Sequence, residues 1–302
     1  MRHLHRIALN PIQWAATPDG WVDGSLAPDL DTVLASVADA GYRAVHIESG
    51  QAAQGAALLA RLERHGLAAG PGIAGNNWTD DPAVRRERLD GVRRVGANYA
   101  AIGVEVVFLT ANMPPDHPRV EHAAVGHLAD PHRLADMVDI LGETAEALTA
   151  EGVRPALHPH VGSWVETEEE TRAVLDGVPA GLLGFGPDIG HLAWAGADPV
   201  ALVAEYRDRV AGVHLKDYRA AVAADSRRER RSYRAAVTAG LWVEPGRGDA
   251  DLAALDAMLG EDESIWWVVE VDQPDAPTPQ ESIRRCGEWL AAGRPPLRSG
   301  AA

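Results

Sequence analysis

The 302-residue sequence holds one cysteine, Cys286, so no internal disulfide can form, which fits a reducing compartment. It has no apolar run of about 18 residues, and its first stretch, MRHLHRIALNPIQW, lacks the apolar segment of a signal peptide. The expectation is a cytoplasmic protein with no membrane partner. Basic residues are scarce: 28 Lys and Arg stand against 44 Asp and Glu, a formal charge of −16. Such a surface excludes nucleic acid and anionic membranes as expected partners and favours a small-molecule substrate. Several motifs are missing as well. Gly70-Pro71-Gly72 is not a GxGxxG turn, Gly162-Ser163-Trp164 is not the GxSxG elbow of a serine hydrolase, and no CxxC pair exists for structural zinc.

What is present is alternation. Short apolar runs predict strands at 6–13, 44–48, 68–73, 104–110, 154–160, 182–188, 210–216 and 265–271. Amphipathic segments at 29–41, 54–65, 82–97, 131–151, 198–207, 251–259 and 279–292 predict helices. In the first of them Leu30, Val33, Leu34 and Val37 share a face and Gly41 ends it. Strands alternating with helices specify a parallel α/β protein, and eight strands is the number that closes a (β/α)₈ TIM barrel. A doubly wound open sheet is the alternative, but it would want an early phosphate-binding glycine turn. One barrel is expected over 1–293, with a loop and helix insertion at about 218–250 and a loose tail over 294–302. The insertion carries Arg227-Arg228-Glu229-Arg230-Arg231-Ser232-Tyr233. That run reads either as a solvated helix face or as a flap, since loops at that end of a barrel build active sites.

Chemistry concentrates at four late strand ends. They are Leu157-His158-Pro159-His160, Gly186-Pro187-Asp188-Ile189-Gly190-His191, Val213-His214-Leu215-Lys216-Asp217 and Val269-Glu270-Val271-Asp272. Each follows apolar residues and belongs at the rim of the barrel interior. Alternate residues of a strand share a face, so His158, His214 and Glu270 are taken as inward metal ligands, with Asp188 from the sixth strand. His160, Lys216 and Asp272 then lie one step further out. Imidazole and carboxylate donors suit Mn²⁺, Co²⁺, Fe²⁺ or Zn²⁺. Plainer roles compete: helix capping for Asp188, an ion pair with Arg154 or Arg247 for Glu270, a salt bridge with Asp217 or Asp272 for Lys216, core packing for Trp14. Trp266-Trp267 reads as an interface or as buried core.

These motifs resemble the sugar phosphate isomerase/epimerase superfamily of xylose isomerase-like barrels, over roughly 7–290. His158-Pro159-His160-Val161-Gly162-Ser163 with Glu166-Thr167 is similar to the fifth-strand segment of inosose dehydratases. Pro187-Asp188-Ile189-Gly190-His191-Leu192 resembles the D-x-G-H signature, and Val213-His214-Leu215-Lys216-Asp217 the H-x-K-D signature. Ser232-Tyr233, with Ala239-Gly240-Leu241-Trp242-Val243-Glu244-Pro245-Gly246-Arg247-Gly248-Asp249-Ala250-Asp251, is similar to the inosose dehydratase stretch ending P-G-x-G-x-x-D.

The resemblance implies one divalent metal, Mn²⁺ first, with Co²⁺, Fe²⁺, Mg²⁺ or Zn²⁺ as alternatives. The family binds it with Glu, Asp, His and Glu from strands five to eight. Asp188, His214 and Glu270 carry over; His158 stands where the fifth-strand Glu belongs, and Glu166 is the alternative ligand or base. The implied chemistry is proton abstraction beside the carbonyl of a keto-cyclitol or keto-sugar, leading to dehydration. His160, His191, Lys216 and Glu270 are the expected catalytic groups; Trp14, Glu48, Glu166 and Asp272 the expected substrate contacts. Alternatives are a ketose 3-epimerase, an aldose–ketose isomerase and a 3-oxo-C-glycoside lyase subunit. From other classes come a metal-dependent nuclease, disfavoured by the acidity, and a non-catalytic binding barrel. A homo-oligomer or a partner subunit is open.

Overall fold

The computed structural model describes residues 3–292; the tail expected over 294–302 lies outside them. Eight parallel strands form one sheet: Ile7–Asn10, Ala44–Ile47, Ala68–Asn76, Val106–Ala111, Arg154–Leu157, Gly184–Phe185, Gly212–Leu215 and Trp266–Glu270. Each pairs with its sequence neighbour, and the first also pairs with the eighth, Ile7 opposite Trp267. Between the sixth and seventh strands the ladder thins to two bridges, Phe185 with Val210 and Asp188 with His214, which bring the sheet round to a nearly closed barrel. The predicted TIM barrel is the observed fold. Among the described residues no helix is long and apolar enough to cross a membrane.

The period-two rule sorts the strands' side chains into two cores. Ala8, Ala44, Val106, Phe108, Ala156, Trp266 and Val268 fill the barrel interior. Leu9, Val45, Val107, Leu109, Leu157, Trp267 and Val269 face the helix layer. Trp266 and Trp267 are therefore core, one on each side of the eighth strand, and not an interface. Phe108 takes the centre of the interior because Gly186 and Gly212 leave it room. A Cβ at either would stand 2.6 or 2.8 Å from its ring.

Helix starts repeat one device, a capping side chain followed by proline at the first helical position, where its missing N–H costs nothing. Asp81, Asp130, Asp198 and Thr278 cap the helices Pro82–Ala101, Pro131–Ala150, Pro199–Glu205 and Pro279–Ala291 in this way. A further helix, Glu168–Gly177, was not among those expected; it opens with a capping box of Thr167 and Glu170.

The insertion is ordered. It contains helices Ala220–Glu229 and Tyr233–Thr238, and a two-stranded antiparallel ribbon pairs Asp217–Tyr218 with Trp242–Val243. The arginines of its basic run part company. Arg228 is exposed, whereas Arg227 donates to the carbonyls of Ala193 and Trp194 at 3.2 and 2.5 Å. Tyr233 turns inward and is buried.

Candidate functional site

The polar layer of the barrel begins two residues beyond the apolar one. Asn10 follows Ala8, His46 follows Ala44, His158 follows Ala156, His214 follows Gly212, and Glu270 follows Val268. Parity alone turns them inward. All five are buried. Phe108 forms the floor, its ring centroid 4.2 Å from that of His214 and 5.5 Å from that of His158.

Lys216 stands at the centre and is fully buried. Its Nζ lies 2.5 Å from Glu270 Oε1, 3.0 Å from Asp272 Oδ1, 3.2 Å from Asp188 Oδ2 and 3.1 Å from His191 Nε2. Burial works against its charge, but Asp188, Asp272 and Glu270 outweigh burial and hold the ammonium well above the ordinary lysine range. Burial pushes Asp188 up to about 7 and Asp272 to about 6; Lys216 pulls both down while Glu270 adds to the rise. Burial also acts to raise Glu270, yet Lys216 and His214 hold it well below the usual carboxylate range. His158, His160 and His191 are driven well below the ordinary imidazole range by burial first and by neighbouring charges and rings second; His214 falls to about 3.

Asp188 has two jobs. Its Oδ1 accepts from the N–H of His191 at 2.9 Å and caps the helix Ile189–Trp194, while Oδ2 has no hydrogen-bond partner and faces the cluster. Glu270 pairs with Lys216 rather than with an arginine, and Asn10 Nδ2 donates to its second oxygen at 2.5 Å. Lys216 turns to Asp272, and Tyr233 Oη donates to Asp272 Oδ2 at 3.1 Å. Asn10 and Tyr233 were not expected here. Asn10 was signalled only by its parity with Ala8, and Tyr233 only by its place in the insertion motif.

Two donor groups adjoin Lys216. In one, donor atoms of His160, His191 and Asp272 lie within 4.8 Å of one another, a possible metal site. These three were expected as acid/base groups and substrate contact, not as ligands. In the other, His158 Nε2 lies 3.9 Å from Asp188 Oδ2 and His214 Nε2 3.5 Å from Glu270 Oε2. His158 Nδ1 donates to Gly186 O at 3.2 Å, and His160 Nδ1 to Val161 O at 2.8 Å. A carbonyl only accepts, so both rings turn an Nε2 lone pair towards the cluster. A lone pair facing a carboxylate oxygen without a donor between them marks a place for a cation. Donors bonded at about 2.1 Å to one ion lie roughly 3–4 Å apart. The charges agree. Three carboxyl groups face one ammonium and neutral imidazoles, an excess of acidic oxygen donors in a buried site, and a cation there would oppose the rise that burial imposes on Asp188 and Asp272. The donor set fits a divalent ion of intermediate softness.

The remaining expected contacts fall elsewhere. Glu166 is buried in a cage of backbone donors, Gly162 at 2.8 Å, Gly126 at 2.8 Å and Ala124 at 3.2 Å, with Arg119 at 3.9 Å. Its lone pairs are taken up in holding two loops together, which removes it from the substrate contacts and from the ligand alternatives. Trp14 sits half-buried in the turn Ile12–Ala15 and packs on the outer core. Glu48 heads the short helix Ser49–Ala52 and lines a cavity beside the cluster. Cys286 is buried in the last helix, where Gln13 is its side-chain neighbour at 3.9 Å.

A xylose isomerase-like TIM barrel model matches residues 34–292. The chain belongs to the xylose isomerase-like TIM barrel family. Within it, the chain is 29% identical to an inosose dehydratase of Geobacillus kaustophilus, covering 89% of this chain and 90% of that one. It is 30% identical to the rhizopine catabolism protein MocC of Rhizobium meliloti, covering 89% and 82%. Among solved structures, the probable 3-DHS dehydratase AsbF of Bacillus anthracis shares the fold with a TM-score of 0.71 at 11% identity, over 95% of this chain and 98% of that one. A family member from Mycobacterium smegmatis, solved in complex with magnesium, has a TM-score of 0.68 at 16% identity, over 97% and 98%.

Proposed function

We propose that this family member is a divalent-metal-dependent lyase or isomerase that abstracts a proton beside the carbonyl of a keto-cyclitol or keto-sugar, with inosose dehydratase-like dehydration as its reaction. One observation carries the reading: three carboxyl groups and neutral imidazoles converge on a buried ammonium at the mouth of a barrel, more acidic donors than that one cation balances when they ionise. The two relatives of about 30% identity add to it, one being an inosose dehydratase.

His158, Asp188, His214 and Glu270 are the proposed ligands, with His160, His191 and Asp272 the neighbouring alternative, and Mn²⁺ the proposed ion. Bound there, the ion would act as a Lewis acid that polarises a substrate carbonyl. The chain's own groups do the rest. His160, neutral and with its Nε2 lone pair available, takes the proton from the carbon next to the carbonyl; His191, whose Nδ1 accepts from the Val161 N–H and whose Nε2 meets Lys216, is the alternative. Lys216 holds the oxygen on which negative charge gathers. As the electron pair moves on, the β-hydroxyl departs, and the proton taken by the imidazole leaves with it as water. Tyr233 is held above the ordinary tyrosine range by burial and by Asp272, so it stays a donor that fixes the Asp272 carboxylate.

The test is a panel of keto-cyclitols and keto-sugars incubated with Mn²⁺-loaded protein in D₂O. Loss of water to an unsaturated ketone is the expected outcome. Deuterium wash-in without mass loss would indicate epimerisation, and interconversion with an aldose would indicate isomerisation. No exchange and no consumption across the panel would sink the reading. Glu270→Gln is expected to lose metal by elemental analysis and to lower turnover roughly 100- to 10,000-fold.

A further inference from the structure

A cavity of about 460 Å³ opens beside the cluster, between the loops that follow the first two strands. Two of its walls belong to the polar layer. Asn10 donates to Glu270, and the His46 ring lies 5.8 Å, centroid to centroid, from that of His214. The cavity therefore adjoins the reacting groups through these two side chains. Gln51, Gln54, Leu30 and Val33 also line it.

His46 is the unusual member. It sits in the apolar strand Ala44–Ile47, is 2% exposed, and neither ring nitrogen has a hydrogen-bond partner; Glu48 Oε1, its nearest charged neighbour, is 3.8 Å away. A buried imidazole with both nitrogens idle is costly, and a hydrophobic residue of similar size would pack there without that cost. The cavity that His46 lines is the open space beside it from which a partner could reach these enclosed nitrogens. A neutral imidazole offers one donor and one acceptor, and a hydroxyl is the group that answers both. The apolar lining suits the C–H face of a ring, and the two amides suit further hydroxyls.

We infer that His46 is a specificity-determining residue, which binds a hydroxyl on the non-reacting edge of a cyclic polyol lodged in this cavity. The inference rests on the function proposed above for what happens at the neighbouring cluster, and it adds how the rest of the substrate is read.

The probes are 2-keto-myo-inositol and its monodeoxy derivatives, titrated calorimetrically into the full chain with Mn²⁺. Wild-type protein should bind the parent and lose about 10- to 100-fold in affinity for one deoxy compound. His46→Phe should bind the parent that much more weakly and no longer distinguish it from that deoxy compound. His46→Asn should recover part of both. At saturation kcat should change little and KM should rise, which separates a binding role from a catalytic one. Ala27→Trp, on the outer loop wall, fills the cavity without touching the barrel sheet and should weaken binding of every probe. A folded His46→Phe protein with unchanged affinity and discrimination removes the inference alone, as does an Ala27→Trp protein that binds normally. Wild-type protein that binds no member of the panel removes the proposed function, and this inference with it.

Discussion

Phe108 sits where packing and chemistry meet. Its ring fills the barrel interior and touches the undersides of His158 and His214. Replacing it with alanine removes a fully buried ring from between glycines that cannot follow the collapse, because they carry no side chain. Phe108→Ala should therefore cost about 3–5 kcal/mol, read as a lower urea midpoint, and should weaken metal binding by freeing two imidazoles to tilt. An unchanged midpoint would mean the floor is not where the ring stands. At this scale the sequence was legible wherever polar residues ended an apolar run. Parity placed His158, His214 and Glu270 together; Lys216, expected one step further out, reaches back to the centre and pairs with Glu270 and Asp188 as well as Asp272. Parity failed for lone polar residues. Asn10 and His46 look like satisfied core residues until the neighbouring strands are seen to bring other polar groups level with them. Glu166 misled for the opposite reason: it follows the fifth-strand histidines closely in sequence, but its carboxylate folds back onto the loop that carries it.

The two ends of the insertion are tied together by one carboxylate. Asp217 accepts from the backbone N–H of Gly246, Gly248 and Ala250 at 2.9, 2.9 and 3.0 Å, and from Tyr218 at 2.9 Å. The chain passes so close that a Cβ at Gly248 would overlap Asp217 and the Tyr218 carbonyl, which is the physical content of the P-G-x-G stretch. Asp217→Ala leaves these donors without a partner. It should cost roughly 2–4 kcal/mol, given about 1–3 for each buried group left unpaired and partial access of water. Turnover should fall further than stability, because the ribbon carries Trp242 under Lys216 and follows the helix that carries Tyr233. Thermal melting and kcat measured side by side check this; equal wild-type values for both would refute it. Among the elements, strands and capped helices were readable because their signals are local. The helix Glu168–Gly177 was missed because its first turn is three glutamates and few of its apolar residues fall before Val174. The third strand runs on to Asn76, three residues past the end of the apolar run at Ile73.

For the molecule as a whole, the barrel has one thin seam. Seven neighbouring strand pairs form ladders, one of them shifting register between Val45 and Ile47, whereas the sixth and seventh strands meet only at Phe185–Val210 and Asp188–His214. The sixth strand is two residues long, and the backbone there is held by Ala211 N–H to Phe185 O and His214 N–H to Pro187 O, each 2.9 Å. The residues on either side of the upper bridge, Asp188 and His214, are both proposed ligands. An ion held by both would tie the barrel where its own hydrogen bonds are fewest. Binding to the folded state alone adds stability by mass action, and the gain should appear where local opening is easiest. Hydrogen exchange after chelation should be fastest, among barrel strands, over 184–188 and 210–216. Adding Mn²⁺ should slow exchange there and raise Tm, while the first four strands change little. Slowing spread evenly over all eight strands would place the ion away from the seam, and no slowing at all would remove Asp188 and His214 from the ligand set.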